Sequence, residues 1–340
     1  KFVLMKWICL VFVMLLVFAC NESEVSGVTV GFYNVENLFD TIDDPTKYDE
    51  QYTPSSDRRW NEEKYQTKLT NLAKVISQLN NDQAPEFLGL CEVENREVLE
   101  DLIATKALEP FEYKIAHIES PDERGIDVAF LYQEKLFKVT DIDAHQPDLS
   151  AFDDKTRDIL HVEGKIASGE SMHFIVNHWP SRGEGLRKSE PKRILAAEKL
   201  KEIYTTILRE DPQAKIIVMG DFNDEPSNKS ISNTLAVSCD VNSVKATQLF
   251  NAFCELEQQD FGSYKYRSYW DMLDQIMISN ALVADTTGLH YQHNSASIKN
   301  EYWLEQHGNK YEGSPLRTFG GRKYLGGYSD HFPVYISLEL

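Results

Sequence analysis

The sequence predicts an α/β fold in a single domain. Short runs of β-branched and aromatic residues recur from residue 28 to the end of the 340-residue chain, and helical patterns with one apolar face lie between them. Strands that alternate with helices predict sheet layers covered by helices. Composition agrees: with 42% hydrophobic and 26% charged residues the chain sits near the average for soluble globular proteins, and its length can bury one large core.

Residues 1–20 stand apart from the body. Lys6 precedes an unbroken apolar stretch, residues 7–19, that stops at Cys20. It is too short to span a bilayer and has the length and positive flank of a signal-peptide core, with Met5 fitting an initiator. Val17-Phe18-Ala19-Cys20 resembles a bacterial lipoprotein box, with Phe18 bulkier than usual. The resemblance implies an exported protein held by a lipidated Cys20 on a membrane facing the periplasm or cell exterior, with residues 21–27 as a polar tether and 28–340 as the folded domain. A plain signal peptide cut nearby, or a buried apolar strand, accounts for the same residues.

In the body, strand runs cover 28–33, 87–91, 128–132, 173–177, 215–219, 275–278 and 334–338, each rich in Val, Ile, Phe or Tyr. The clearest helix is 61–79, with Asn61 as N-cap and Tyr65, Leu69, Leu72, Val75, Ile76 and Leu79 on one face. A second covers 189–209, with Pro191 in its first turn and Ile194, Leu195, Leu200, Ile203, Ile207 and Leu208 as its stripe; a third follows the cap Asn95 and carries Val98, Leu99, Leu102 and Ile103. Segments 40–59, 264–270 and 313–328 have no period and read as surface excursions. The last two interleave Lys, Arg, Tyr and Gly, which suits base stacking and phosphate contact but is also ordinary turn composition.

Charge and cysteines narrow the function classes. A net charge of -19 argues against binding nucleic acid through a global field. Outside the leader only Cys91, Cys239 and Cys254 remain; Cys239 and Cys254 suit a local disulfide in an oxidising compartment, and all three equally suit small buried hydrophobes. No Gly-x-Ser-x-Gly elbow occurs, and Cys91 lies inside an apolar run, so serine and cysteine nucleophiles are poor readings.

The informative pattern is what flanks the strands. Apolar runs end in Asn34 and Glu36, in Glu92, in Asn177 and His178, and in Asp221 and Asn223, while Asp274 precedes one run and Asp330 with His331 another. Taken singly, each is a turn or capping residue. Together, carboxylates, carboxamides and imidazoles delivered to one rim are what metal-assisted hydrolysis requires.

In order along the chain, Phe32-Tyr33-Asn34-Val35-Glu36-Asn37, Leu88-Gly89-Leu90-Cys91-Glu92-Val93, Arg124-Gly125-Ile126-Asp127, Val176-Asn177-His178-Trp179, Gly220-Asp221-Phe222-Asn223, Leu273-Asp274-Gln275-Ile276 and Ser329-Asp330-His331-Phe332 resemble the motifs of the DNase I-like endonuclease/exonuclease/phosphatase superfamily. The resemblance covers residues 28–340. It implies a four-layer α/β sandwich: two mixed sheets face to face, helices outside, the site at one rim. It implies Mg²⁺ (or Mn²⁺) at Glu92, with Asn34 and Glu36 completing the site and Asp330 available to a second divalent ion. Asp221 would align and deprotonate the attacking water, with Asn223 beside it. His331, paired with Asp274, and His178 would face the phosphoryl oxygens, and Arg124, Asn177 and Arg182 would bind phosphate. The function expected is a phosphodiesterase or nuclease with nucleic acid as substrate. Alternatives are an esterase of inositol phosphates or sphingolipid head groups, and a non-catalytic binding module.

Overall fold

The computed structural model describes residues 27–285, 288–308 and 310–339. The expected leader, Cys20 and all but the last residue of the tether lie outside these residues.

Along the chain run β1 (Val28–Leu38), α1 (Glu62–Ser77), β2 (Phe87–Val93), α2 (Arg96–Ile103), β3 (Tyr113–His117), β4 (Asp127–Gln133), β5 (Phe137–His145), β6 (Ile159–Ile166), β7 (Ser171–His178), α3 (Leu186–Glu210) and β8 (Lys215–Asp221). Then come β9 (Leu249–Asn251), α4 (Cys254–Gln258), the β10 (Tyr264–Tyr266) and β11 (Tyr269–Asp271) hairpin, β12 (Asp274–Ser279) and α5 (Asn280–Ala284). The chain closes with β13 (His290–Tyr291), β14 (Ser297–Ile298), β15 (Phe319–Gly320), β16 (Lys323–Tyr324) and β17 (Val334–Glu339).

Two mixed sheets form. One has the order β13-β17-β1-β2-β4-β3, with β14 also on β17; the other has the order β5-β6-β7-β8-β12-β9. Each contains one parallel pair, β1 with β2 and β7 with β8. Alternation along the strands builds the four layers. Phe32, Phe174 and Met219 face the core between the sheets, while their neighbours Tyr33, Ile175 and Val218 face outward under helices. The first sheet's outer face is covered by Leu69 and Leu72 of α1 and Leu99 of α2, the second's by Ala197 and Leu200 of α3. The inner core is fixed by aromatic rings, with Phe174 4.5 Å from Phe130, 4.7 Å from Phe87 and 5.2 Å from Phe137. Such pairs contribute about 0.5–1.5 kcal/mol each beyond simple burial. The expected sandwich is the observed one.

Details differ from the sequence expectation. Asn61 and Asn95 do cap α1 and α2, accepting the N–H of Lys64 and Val98. Helix α3 begins at Leu186, so Pro191 lies inside it rather than in its first turn. Its buried face is Arg193, Ala196, Ala197, Leu200 and Tyr204, while Ile194 and Leu195 are only half-buried, because the small alanines let the helix approach the sheet closely. Segment 40–59 is more than surface: Tyr52 is buried and stacks on Phe39 at 4.2 Å. Cys239 and Cys254 are joined in a disulfide, and Cys91 is free and buried. Among the described residues no helix is long and apolar enough to cross a membrane.

Candidate active site

The strand ends of both parallel pairs meet at one rim. Asn34 and Glu92 come from the first sheet, His178 and Asp221 from the second. Two irregularities aim the acids. The β1–β2 register slips between Asn34 and Leu38, and the β2–β4 register slips between Cys91 and Val93. Glu36 and Glu92 sit in these bulges at φ 49° and φ 62°, a region non-glycine residues seldom occupy and one that recurs at functional sites. Glu92 Oε2 accepts the Asn37 N–H at 3.0 Å, and Glu36 Oε2 accepts the Thr318 N–H at 2.6 Å. Burial, then the Asp330 carboxylate, pushes Glu36 up to about 7. Arg317 offsets this crowding, hydrogen-bonding Asp330 and lying 3.8 Å from Glu36. Burial pulls Lys68 down to about 8 against the pull of Glu36, Asp330 and Glu92.

The second half is a hydrogen-bonded chain. Asn34 Nδ2 donates to Asp221 Oδ2 at 3.1 Å, and Asp221 Oδ1 accepts the Asn223 N–H at 2.9 Å, a turn that holds Asn223 at φ 49°. Gly220 permits this, since a Cβ there would meet the Asn177 carbonyl oxygen at 2.5 Å. His331 Nδ1 donates to Asp274 Oδ2 at 2.6 Å, leaving Nε2 3.9 Å from Asp221. Burial opposes the charge on His331, but Asp274, with Asp221 and Asp330, lifts it to about 10, so it is an imidazolium near neutral pH. Burial and then Asp274 raise Asp221 to about 6. His178 is the opposite case: burial, then Arg157 and Arg124, hold it well below the usual range, so its ring is neutral. Its Nε2 lies 3.8 Å from Asp221 and 3.9 Å from Glu92. Ser329 ties the halves together, donating to the Asn34 carbonyl at 2.6 Å and accepting the His331 N–H at 3.1 Å. The cleft over these groups has a volume of about 720 Å³.

A model of the endonuclease/exonuclease/phosphatase family matches residues 29–340. The chain belongs to that family. Endonuclease/exonuclease/phosphatase proteins are metal-dependent phosphoric ester hydrolases, and so is this chain. No curated protein matches it. Solved structures similar in fold include humanized TDP2 of D. rerio carrying 14 mutations, at 12% identity and TM-score 0.56 over 93% of this chain and 100% of that one. D. rerio TDP2 complexed with single strand DNA product matches at 13% identity and TM-score 0.56, over 93% of this chain and 100% of that one. A mannosyl-6-phosphatase from Bacteroides thetaiotaomicron matches at 14% identity and TM-score 0.56, over 92% of this chain and 100% of that one.

Most of the residues expected from the family's motifs meet here: Asn34, Glu36, Glu92, His178, Asp221, Asn223, Asp274, Asp330 and His331. Glu36, Asp330 and Glu92 all act electrostatically on Lys68, so their carboxylates share one neighbourhood, and oxygen donors fit the hard divalent ion the family uses. Three expected phosphate ligands fare differently. Arg124 is half-exposed at the mouth, bonded to Asn37 Oδ1 at 2.6 Å, and remains accessible. Arg182 lines the cleft but spends its donors on the Asn223 carbonyl, Asp271 and Asn228, so it braces the Asn223 turn. Asn177 is a correction: it is fully buried, its amide donates to the Ile175 and Met219 carbonyls and accepts from Trp179, so strand alternation turns it from the cleft.

Lys68, Arg317 and Tyr264 are absent from the sequence expectation. Lys68 was findable as the one cation inside the apolar face of its helix, between Tyr65 and Leu72. Arg317 and Tyr264 lie in the aperiodic segments 313–328 and 264–270, whose mix of Lys, Arg, Tyr and Gly suits base and phosphate contact without singling out either residue.

Proposed function

We propose that the chain is a phosphodiesterase of nucleic acid strands, a nuclease that uses Mg²⁺ (or Mn²⁺). The observation that carries this is the aromatic wall beside His331. The Tyr264 ring lies 4.8 Å from that imidazole, and the β10–β11 hairpin presents Tyr266 and Tyr269 at 54% and 74% exposure along the same cleft. Exposed rings beside a phosphoryl site suit stacked bases. The single-strand product held by D. rerio TDP2, on the same fold, supports the reading. A body of charge -19 would then bind strands through this cleft rather than through its overall field.

In the proposed reaction water attacks phosphorus in line with the departing oxygen, with no covalent enzyme intermediate. Asp221 orients the water and takes its proton; Asn223 and neutral His178 donate to phosphoryl oxygens. His331, held by Asp274, meets developing negative charge with its Nε2–H. Arg124 guides phosphate at the mouth. Glu92, Glu36 and Asp330, with Asn34 orienting, would hold the divalent ion, which supplies Lewis-acid stabilisation of the phosphoryl charge. Assays of the purified body with Mg²⁺ and with chelator, against single-stranded DNA, RNA, inositol phosphates and sphingomyelin, test this. Faster cleavage of inositol phosphate or sphingomyelin than of either strand would replace nucleic acid by a head-group ester, and full activity in excess chelator would remove the metal.

The same proposal places the protein outside the cytoplasm, anchored through a lipidated Cys20. The Cys239–Cys254 disulfide supports an oxidising compartment.

A further inference from the structure

The second sheet carries a histidine cluster on its outer face, away from the phosphoester site. In the β5–β6 register Asp143 lies opposite His161, and in the β6–β7 register Glu163 lies opposite His173. Alternation therefore puts Asp143, His145, His161 and His173 on one face, under the C-terminal half of α3. His161 stacks on His173 with ring centroids 5.2 Å apart, and the His145 ring is tilted against His161 at 6.0 Å. One ligand atom from each of Asp143, His145 and His161 lies within 4.8 Å of the others.

We propose that Asp143, His145 and His161 form a second metal site, for a divalent transition ion of the Zn²⁺ type. A stack of satisfied core histidines is the plain alternative, and one atom speaks against it. His161 and His173 satisfy each other at 3.0 Å, but the buried Nε2 of His145 has no hydrogen-bond partner. A buried polar atom left alone requires an explanation, and a bound water or ion is one. Two imidazoles and a carboxylate are donors that Zn²⁺, Ni²⁺ and Cu²⁺ prefer, whereas Mg²⁺ takes oxygen alone. Tetrahedral Zn²⁺ needs its ligand atoms about 3.3 Å apart, which small side-chain rotations reach from the present spacing. His173 would hold His161 in orientation, as a partner behind a ligand does. A cavity of about 460 Å³ lined by His145 and His161 leaves room for a water or small anion on the ion. His173 precedes His178 on β7 by five residues, roughly 16 Å of strand, so the two sites are separate.

The test is metal uptake by chelator-stripped protein dialysed against Zn²⁺ alone, in the wild type and in Glu92→Gln, His145→Gln and Asp143→Asn. His145→Gln and Asp143→Asn should each weaken, by roughly tenfold or more, one binding event that Glu92→Gln retains. Co²⁺ in place of Zn²⁺ should give a tetrahedral-type visible absorption that disappears in the same two variants. Equal uptake by the wild type and both variants overturns the site, as does loss of all uptake in Glu92→Gln. Asp143 is exposed, so Asp143→Asn answers the question even where His145→Gln fails to fold.

Discussion

Asp221 and His331 sit 3.9 Å apart, and substituting them separates their proposed catalytic roles from packing. Asp221→Asn or His331→Ala should lower kcat on the order of a hundredfold or more and change KM little, because their contacts strengthen in the transition state. Asp274→Asn should give a related loss, and combining it with His331→Ala should cost clearly less than the product. Wild-type turnover per folded molecule in any of the single variants removes the role. The raised value of Asp221, about 6, sets a pH dependence. The proposed base is the carboxylate, present above that value, so kcat should fall as pH drops through about 6, approaching tenfold per unit below it. A flat profile from pH 7 to 5 is the contrary result. At this scale the sequence was legible for polar residues that flank strands: Glu92 and Asp221 at strand ends, and His331 just ahead of one, all line the cleft. It was not legible for Asn177, whose neighbour His178 lines the cleft, since adjacent residues on a strand point opposite ways and the motif alone does not say which enters it.

The β10–β11 hairpin and the β7–β8 pair do different work for the site. If the hairpin's rings stack bases, replacing both Tyr266 and Tyr269 by Ala should raise KM for single-stranded DNA by about tenfold to a hundredfold, since stacking contributes ~1–3 kcal/mol per base. A small generic phosphodiester should be hydrolysed as before, and equal losses on both substrates would assign the hairpin to folding instead. On β8 the obstacle is backbone. Gly220→Ala drives a Cβ into the Asn177 carbonyl and should destabilise the protein by about 1–3 kcal/mol in denaturant titration, where an unchanged midpoint refutes the close approach. The strands nearest the site were legible because both their faces are buried, giving continuous apolar runs such as 216–219. Strand β5 was missed for the converse reason: it is a sheet edge, and Asp141 and Asp143 break its apolar pattern.

For the molecule as a whole, the leader and the domain make separate statements. If the proposed lipid on Cys20 is the anchor, Cys20→Ser should release the protein from the detergent-soluble membrane fraction or block its maturation; wild-type protein found wholly in the cytosol ends the export reading. The order of strands across each sheet was beyond local reading, since β1 pairs with β17 from the far end of the chain, and pairing of that kind leaves no short-range signal. Resemblance supplied what periodicity could not. That topology also divides the reaction centre between two bodies. Asn34 belongs to one sheet and Asp221 to the other, and the hydrogen bond joining them crosses a seam of apolar contacts with, among the described residues, no backbone hydrogen bonding between the strands of the two main sheets. A relative slide of about 1 Å would part them while every strand stayed paired, and a misplacement of that size can cost a hundredfold in rate. The rings of Phe87, Phe130, Phe137 and Phe174 therefore act as the dowels of the active site: their interlock sets the alignment tolerance of chemistry performed at the edge of the sandwich they fill.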